Sequence, residues 1–130
     1  MRWAGNARTQ FTNSVKVAVR VGAGLGMMDA SKKTVEYFAN DRANPASLSS
    51  DEIVAIHQDH AKPNVLWVGT SDGLNEFDKR NGKVVRYLHD PTKASSLSHD
   101  HITDIHEDHA GRLWIATWGG GLNRLNRESE

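Results

Sequence analysis

The sequence has no cysteine and only three prolines, and it carries no excess charge of either sign. The lack of cysteine excludes disulfides, thiol catalysis and cysteine-ligated zinc. Sixteen basic and sixteen acidic side chains cancel, so we expect no nucleic-acid partner. No apolar run approaches the ~20 residues needed to cross a bilayer, so we expect no membrane contact by this segment. The first residues lack the apolar stretch of a secretion signal, which predicts a cytoplasmic location if the chain is expressed alone.

The 130 residues do contain eleven glycines and four tryptophans, and several of these take part in an internal repeat. SLSSDEIVAIHQDH at 47–60 returns as SLSHDHITDIHEDH at 96–109, an interval of 49 residues. LWVGT at 66–70 likewise returns as LWIAT at 113–117. Gly24, Asp29 and Phe38 extend the pattern backward at the same interval. Periods of this length are typical of propellers, solenoids and other repeat arrays.

Each unit predicts four short strands, and the apolar runs within them are nearly continuous, as in strands covered on both faces. Four antiparallel strands in about 49 residues make one propeller blade. The sequence therefore predicts an all-β fold, a partial β-propeller of about two and a half four-stranded blades; a β-solenoid is the alternative, although its repeats are usually shorter. The third strand is the least supported, because Leu74 and Phe77 have helix-like spacing. The predicted strands are 53–57 and 102–106, 65–70 and 113–117, 74–78 and 122–126, and 84–88 and 35–38.

The repeat divides the chain into four parts. Residues 1–16 fit no part of the unit and are expected to be irregular or divergent, and 17–52 supply the second half of a blade plus a link. Residues 53–101 form a complete blade, and 102–130 form the first three strands of the next. A closed propeller needs at least about four blades, so we expect the chain to be a fragment of a longer protein.

These motifs resemble the two-component regulator propeller repeat. The resemblance is carried by SLSHDHITDIHEDHAGRLWIATWGGGLNRLN at 96–126, by LWVGTSDGLNEFD at 66–78 and by the link RYLHDPTKASSLS at 86–98. Ala116, Asn126 and Glu76 depart from the usual Gly, Asp and Arg. The resemblance implies the periplasmic sensing region of a bacterial sensor histidine kinase, acting in phosphorelay signal transduction, with a glycan-derived ligand. It implies that this chain is not itself an enzyme.

Equivalent residues in the two copies are expected to have structural roles. The tryptophans would pack between blades, and the aspartates would cap turns. As carboxylate pairs, the same aspartates would suit a secreted lyase or glycosidase, which is the alternative function, but their recurrence favours turn capping. The structural positions are Trp67 and Trp114, Asp59 and Asp108, Gly73 and Gly121, and Asn75 and Asn123.

The loop between the second and third strands is the candidate ligand site, with Ser71, Asp72, Trp118 and Gly119 as its residues. An exposed tryptophan can stack on a sugar ring, but large aromatic side chains usually bury most of their area. We therefore favour packing between blades for Trp118. The expected partners are a small-molecule or oligosaccharide ligand, and either neighbouring blades of a longer chain or a second copy bound through open blade edges.

Two further motifs resemble a nucleotide-binding turn and a metal site, but neither predicts one. GAGLGM at 22–27 resembles a dinucleotide-binding turn, but Met27 stands where its last glycine is required. His57 and His60, like His106 and His109, have a spacing found in metal sites. On a strand an odd offset points two side chains to opposite faces, and no third ligand is evident. We therefore expect no metal and no cofactor.

Overall fold

A computed structural model describes residues 9–11, 16–21, 24–29 and 33–126 of the chain. All regular elements in these residues are strands, and they form three antiparallel sheets. The described part of the chain holds no helix of the length and hydropathy that a membrane span requires. The strands are β1 Thr9–Phe11, β2 Lys16–Val21, β3 Gly24–Asp29, β4 Thr34–Phe38, β5 Ile53–Gln58, β6 Val65–Thr70, β7 Gly73–Asp78, β8 Val84–Tyr87, β9 Ile102–Glu107, β10 Leu113–Thr117 and β11 Gly121–Arg124.

Each sheet is a meander in which consecutive strands pair. The first blade is β1–β4, the second is β5–β8 and the third is β9–β11. The blades pack through their first strands, because β1 contacts β5, and β5 contacts β9. This arrangement confirms the partial propeller. It also shows that the segment with helix-like spacing is the strand β7, since the pairing of Leu74 with Tyr87 and of Phe77 with Val84 fixes it in the sheet.

The N-terminal part differs from the expectation. Thr9–Phe11 pairs with residues 17–19 of β2, so the first blade has four strands and not only its second half. Of the two expectations for this segment, irregular or divergent, the strand at 9–11 fits a divergent one, because strand pairing uses backbone groups and does not need the side chains of the repeat. Residues 22 and 23 of the turn that resembles a dinucleotide motif lie outside the described residues.

Two apolar clusters fill the spaces between the blades. The first joins Leu25 and Met27 of the first blade to Ile56, Val68 and other residues of the second. The second contains the completely buried Trp67, together with Ile102, Ile105, Leu113 and Ile115 of the third blade. Burial of a large apolar side chain contributes roughly 1.5–3 kcal/mol. Trp67 thus lies buried between the second and third blades.

An aspartate closes the first hairpin of the second and third blades. Asp59 Oδ1 accepts hydrogen bonds from the backbone N–H groups of Ala61 (2.8 Å) and Lys62 (3.0 Å), and its Oδ2 accepts one from Trp67 Nε1 (2.8 Å). Asp108 repeats this arrangement with Trp114 Nε1 at 2.9 Å. Both aspartates thus accept hydrogen bonds from their turns, and the bond to the indole is an addition that the repeat did not predict.

An asparagine and a serine fix the link before the second blade and the link before the third. Asn75 accepts a hydrogen bond from the N–H of Ser49 (2.9 Å) and donates to Ser49 Oγ (2.9 Å) and to the carbonyl of Val68 (3.1 Å). Asn123 makes the equivalent bonds to Ser98. These bonds explain why SLS and GLN recur together: each Asn holds the second Ser of its own link beside the third strand.

Candidate functional site

The strand register separates two ends of the blades. Ile53, at the start of β5, pairs with Thr70 at the end of β6, so the link before the second blade and the loop at residues 71–72 lie at the same end. The equivalent loop of the third blade is 118–120, where β10 and β11 meet. We refer to this end as the hairpin end. It carries all four residues that the sequence predicts for ligand binding.

An open cleft of about 620 Å³ lies at the hairpin end of the second blade. It is lined by polar side chains of the link that precedes β5, of the 71–72 loop and of β8. Its lining residues are Asn40, Arg42, Ser49, Ser50, Asp51, Glu52, Asp72 and Arg86.

The charged residues of the cleft divide into two groups. Arg86 has a structural role, because its guanidinium donates to the carbonyl of Ser47 (2.9 Å) and to Ser47 Oγ (3.0 Å). Asp51 is similarly occupied, since its Oδ1 accepts from the N–H of Asn40 (2.6 Å). The side chains of Arg42, Glu52 and Asp72 make no hydrogen bond or ion pair with any described residue. A guanidinium and two carboxylates are thus available to an incoming molecule.

The sequence predicted Asp72 in this cleft and missed Arg42 and Glu52. Ser71 contributes indirectly, as its Oγ lies 3.5 Å from Ser50 Oγ. The position of Arg42 and Glu52 in the link could have located them. A link that ends beside the loop of its own blade must bring its polar residues to that loop.

Trp118 lies on the next loop, outside the cleft. Its side chain is 70% exposed, and its ring lies 5.7 Å from that of His101. Trp118 therefore does not pack between the three described blades. Gly119 follows with a φ of 95°, a left-handed conformation that glycine adopts readily.

The segment between Ser98 and His101 connects the two loops. The carbonyl of Asp100 accepts a hydrogen bond from the N–H of Gly73 (2.6 Å), and the carbonyl of His101 accepts one from the N–H of Trp118 (2.8 Å). The structure thus brings both predicted loops against one segment. It does not place Trp118 in the same cleft as Asp72.

The histidines of the second blade lie at the opposite end: His57 pairs with Trp67 near the end of β5, and His60 follows the last pair of β5 and β6. The rings of His57 and His60 were expected to point apart, but their centroids are 5.4 Å apart. His60 lies in the loop after β5, where strand alternation no longer applies. Glu107 of the third blade contacts both side chains, so a third candidate metal ligand is present after all.

A catalytic role for Asp59 or Asp108 does not fit the structure. Asp59 is buried beneath its own turn and holds Trp67, so a polymeric substrate cannot reach it. The indole N–H of Trp114, and then the backbone and side chain of Arg112, hold the pKa of Asp108 well below its ordinary value. A general acid for glycoside cleavage needs a raised pKa.

Comparison with known proteins supports the fold and the repeat. Residues 96–119 match the model of the two component regulator propeller. The extracellular domain of the putative hybrid two component system BT3049 from B. thetaiotaomicron is similar over 92% of this chain, with a TM-score of 0.78 and 20% identity. That of the putative one component system BT4673 from the same organism is similar over 93%, with a TM-score of 0.50 and 16% identity.

The chain spans only part of these structures, 16% of the first and 22% of the second. No curated protein matches it in sequence. At these identities the structural similarity shows the fold. Taken with the family match, it identifies the chain as a partial β-propeller that carries the two component regulator propeller repeat.

Proposed function

We propose that this chain is part of the ligand-sensing propeller of a bacterial two-component sensor. The proposal is supported by the family description at 96–119 and by the similarity to the extracellular domain of a putative hybrid two component system. The parent protein is then a sensor histidine kinase, and this segment lies in the periplasm. The segment binds ligand and performs no catalysis.

The cleft at the hairpin end is the ligand site in this proposal. The observation that carries it is the set of three charged side chains there that bind no described residue: Arg42, Glu52 and Asp72. Sugar hydroxyl groups both donate and accept hydrogen bonds, so they suit a cleft that offers carboxylates and a guanidinium together. The exposed ring of Trp118, on the neighbouring loop, provides an apolar surface for a further sugar residue. A glycan-derived oligosaccharide is thus the ligand class that we favour.

Ligand binding would be coupled to blade packing through the link. Arg42 belongs to the segment that joins the first blade to the second, whereas Asp72 belongs to the second blade itself. A ligand that binds both favours one arrangement of these blades. A ligand shifts such an equilibrium by as much as its affinities for the two arrangements differ. That shift is the signal that the rest of the sensor would receive.

The test uses the complete parent propeller and a set of glycan-derived oligosaccharides, with binding measured by calorimetry. For the oligosaccharide that binds, Arg42→Ala and Asp72→Asn are expected to lower affinity at least about tenfold, because each removes a charge-assisted hydrogen bond. Arg80→Ala is the matched control, since Arg80 pairs with Asp78 away from the cleft. Failure of every oligosaccharide to bind would refute the glycan assignment. Binding that is equal in all three variants would refute the cleft.

A further inference from the structure

We propose that the second and third blades share a binding site for a Zn²⁺ ion, with His57, His60 and Glu107 as its protein ligands. The three residues come from two blades. His57 lies near the end of β5, His60 lies in the loop that follows, and Glu107 is the last residue of β9. The site is at the opposite end of the blades from the cleft, so it is independent of the proposed ligand.

The ligand atoms are already close together. One such atom from each residue lies within 4.8 Å of the other two. His57 Nε2 is 2.8 Å from Glu107 Oε1, and His60 Nδ1 is 3.7 Å from the same oxygen. Ligands at about 2.0–2.1 Å from a tetrahedral Zn²⁺ lie roughly 3.3 Å apart. Small side-chain movements therefore suffice to place the ion between them.

The cluster is buried on the side of Glu107 and open to solvent on the side of His60. The side chain of Glu107 is 2% exposed, whereas that of His60 is 73% exposed. The backbone N–H of His60 also donates to Glu107 Oε1 (3.2 Å), which fixes the carboxylate beneath the loop. A buried carboxylate is stabilised by pairing or by coordination to a metal. The exposed side leaves room for water as a fourth ligand.

The chemistry of the ligands selects the class of ion. Two imidazoles and one carboxylate, with an open fourth position, form a ligand set that zinc uses in proteins. Magnesium and calcium prefer oxygen ligands throughout. On binding, His57 Nε2 would exchange its contact with Glu107 for the metal and would have to be unprotonated. The ion would then join two blades that already meet at β5 and β9 through apolar side chains and the His57–Glu107 contact.

The third blade contains an equivalent pair of histidines that can be compared with His57 and His60. His106 and His109 have the same spacing in the third blade, yet no acidic group completes a site around them in the described part of the chain. Gln58 stands in the second blade where Glu107 stands in the third. Glu107→Gln therefore replaces the ligand by the residue that the other copy of the repeat already uses at this position.

The experiment titrates the full chain with ZnCl₂ in a calorimeter, after treatment with a chelator and its removal. We expect one Zn²⁺ per chain in the unaltered protein. His60→Ala and Glu107→Gln are each expected to reduce the affinity at least about tenfold, as the loss of contacts at a metal centre does. A double variant, His106→Ala with His109→Ala, is the matched control and should bind as the unaltered protein does. MgCl₂ should give no binding.

Thermal unfolding in the presence of the chelator shows whether each variant is folded. Because His60 is exposed, its variant tests the site even if Glu107→Gln unfolds. Zn²⁺ should raise the unfolding temperature of the unaltered protein and of the control, by linkage, and should not raise that of His60→Ala. The proposal is wrong if the unaltered chain binds no Zn²⁺, if His60→Ala retains full affinity, or if the control loses as much as His60→Ala.

Discussion

At the scale of single residues, the same aspartate has different surroundings in the two blades. Asp59 and Asp108 make equivalent bonds to their turns and tryptophans. Asp59 is buried beside the completely buried Trp67, whereas Trp114 is partly exposed, with no described blade packed over it. The environment, and not the motif, therefore determines how much each bond contributes to the free energy of unfolding.

Asp59→Ala is expected to lower the free energy of unfolding by about 2–4 kcal/mol, because it leaves the buried indole N–H and two turn N–H groups without their acceptor. Asp108→Ala is expected to lower the free energy of unfolding by less, because water reaches this turn and can replace the lost acceptor. Urea denaturation followed by circular dichroism measures both. Equal losses would show that burial of the Asp59 turn is unimportant.

The pKa of Asp108 determines part of the response to acid. It is lowered from an ordinary value of 3.8, first by the indole N–H of Trp114 and further by the backbone and side chain of Arg112. The stabilisation is fully present above the unfolded-state pKa and is lost as the pH falls through the lower folded-state pKa. In the variant Asp108→Asn the free energy of unfolding should therefore depend less steeply on pH below about pH 5. Urea midpoints across a pH series test this, and an unchanged slope would contradict it.

At the scale of elements, the contact between β6 and β9 depends on a glycine. A Cβ added to Gly69 would lie 2.6 Å from Ile102 Cγ2 of the third blade. Ala116 holds the equivalent position in β10, where the resemblance expects glycine. Among the described strands no further blade packs against β10, so the methyl group of Ala116 meets no such neighbour.

Gly69→Ala is expected to destabilise the chain by about 1–3 kcal/mol, because the added methyl group must separate two packed strands. The matched control is Ala116→Gly, for which the cost should stay below about 1 kcal/mol, the usual effect of glycine in a strand. Chemical denaturation compares the two. A Gly69→Ala variant as stable as the unaltered chain would mean that the two blades do not pack this closely.

At the scale of the whole molecule, the third blade presents an uncovered face. Leu74 of the second blade is 1% exposed beneath the third blade, while its equivalent, Leu122, is 65% exposed. Apolar surface of this kind favours association with another chain or blade. We propose that the isolated chain self-associates through this face, with Trp118 beside it.

Sedimentation velocity over a range of concentrations tests this association. The unaltered chain should show larger species as concentration rises, and Leu122→Glu should shift it toward monomer, because a charge cannot be buried without a partner. Val85→Glu is the control, since Val85 is exposed on the outer strand β8. A monomer at every concentration would rule out self-association through this face.

The sequence by itself determined the period, the strands from residue 24 onward, the aspartate turn caps and the burial of Trp67. The motifs that predict these features recur in the second and third blades and consist of residues close together in the chain. Only the tertiary structure decided that 9–11 completes the first blade, that Trp118 is exposed, and that Arg42 and Glu52 join Asp72 in one cleft. It also decided that Glu107 reaches His57 and His60. The physical reason is that a propeller brings together residues nearly fifty positions apart by packing one blade on the next, and no local pattern records which side chains meet there.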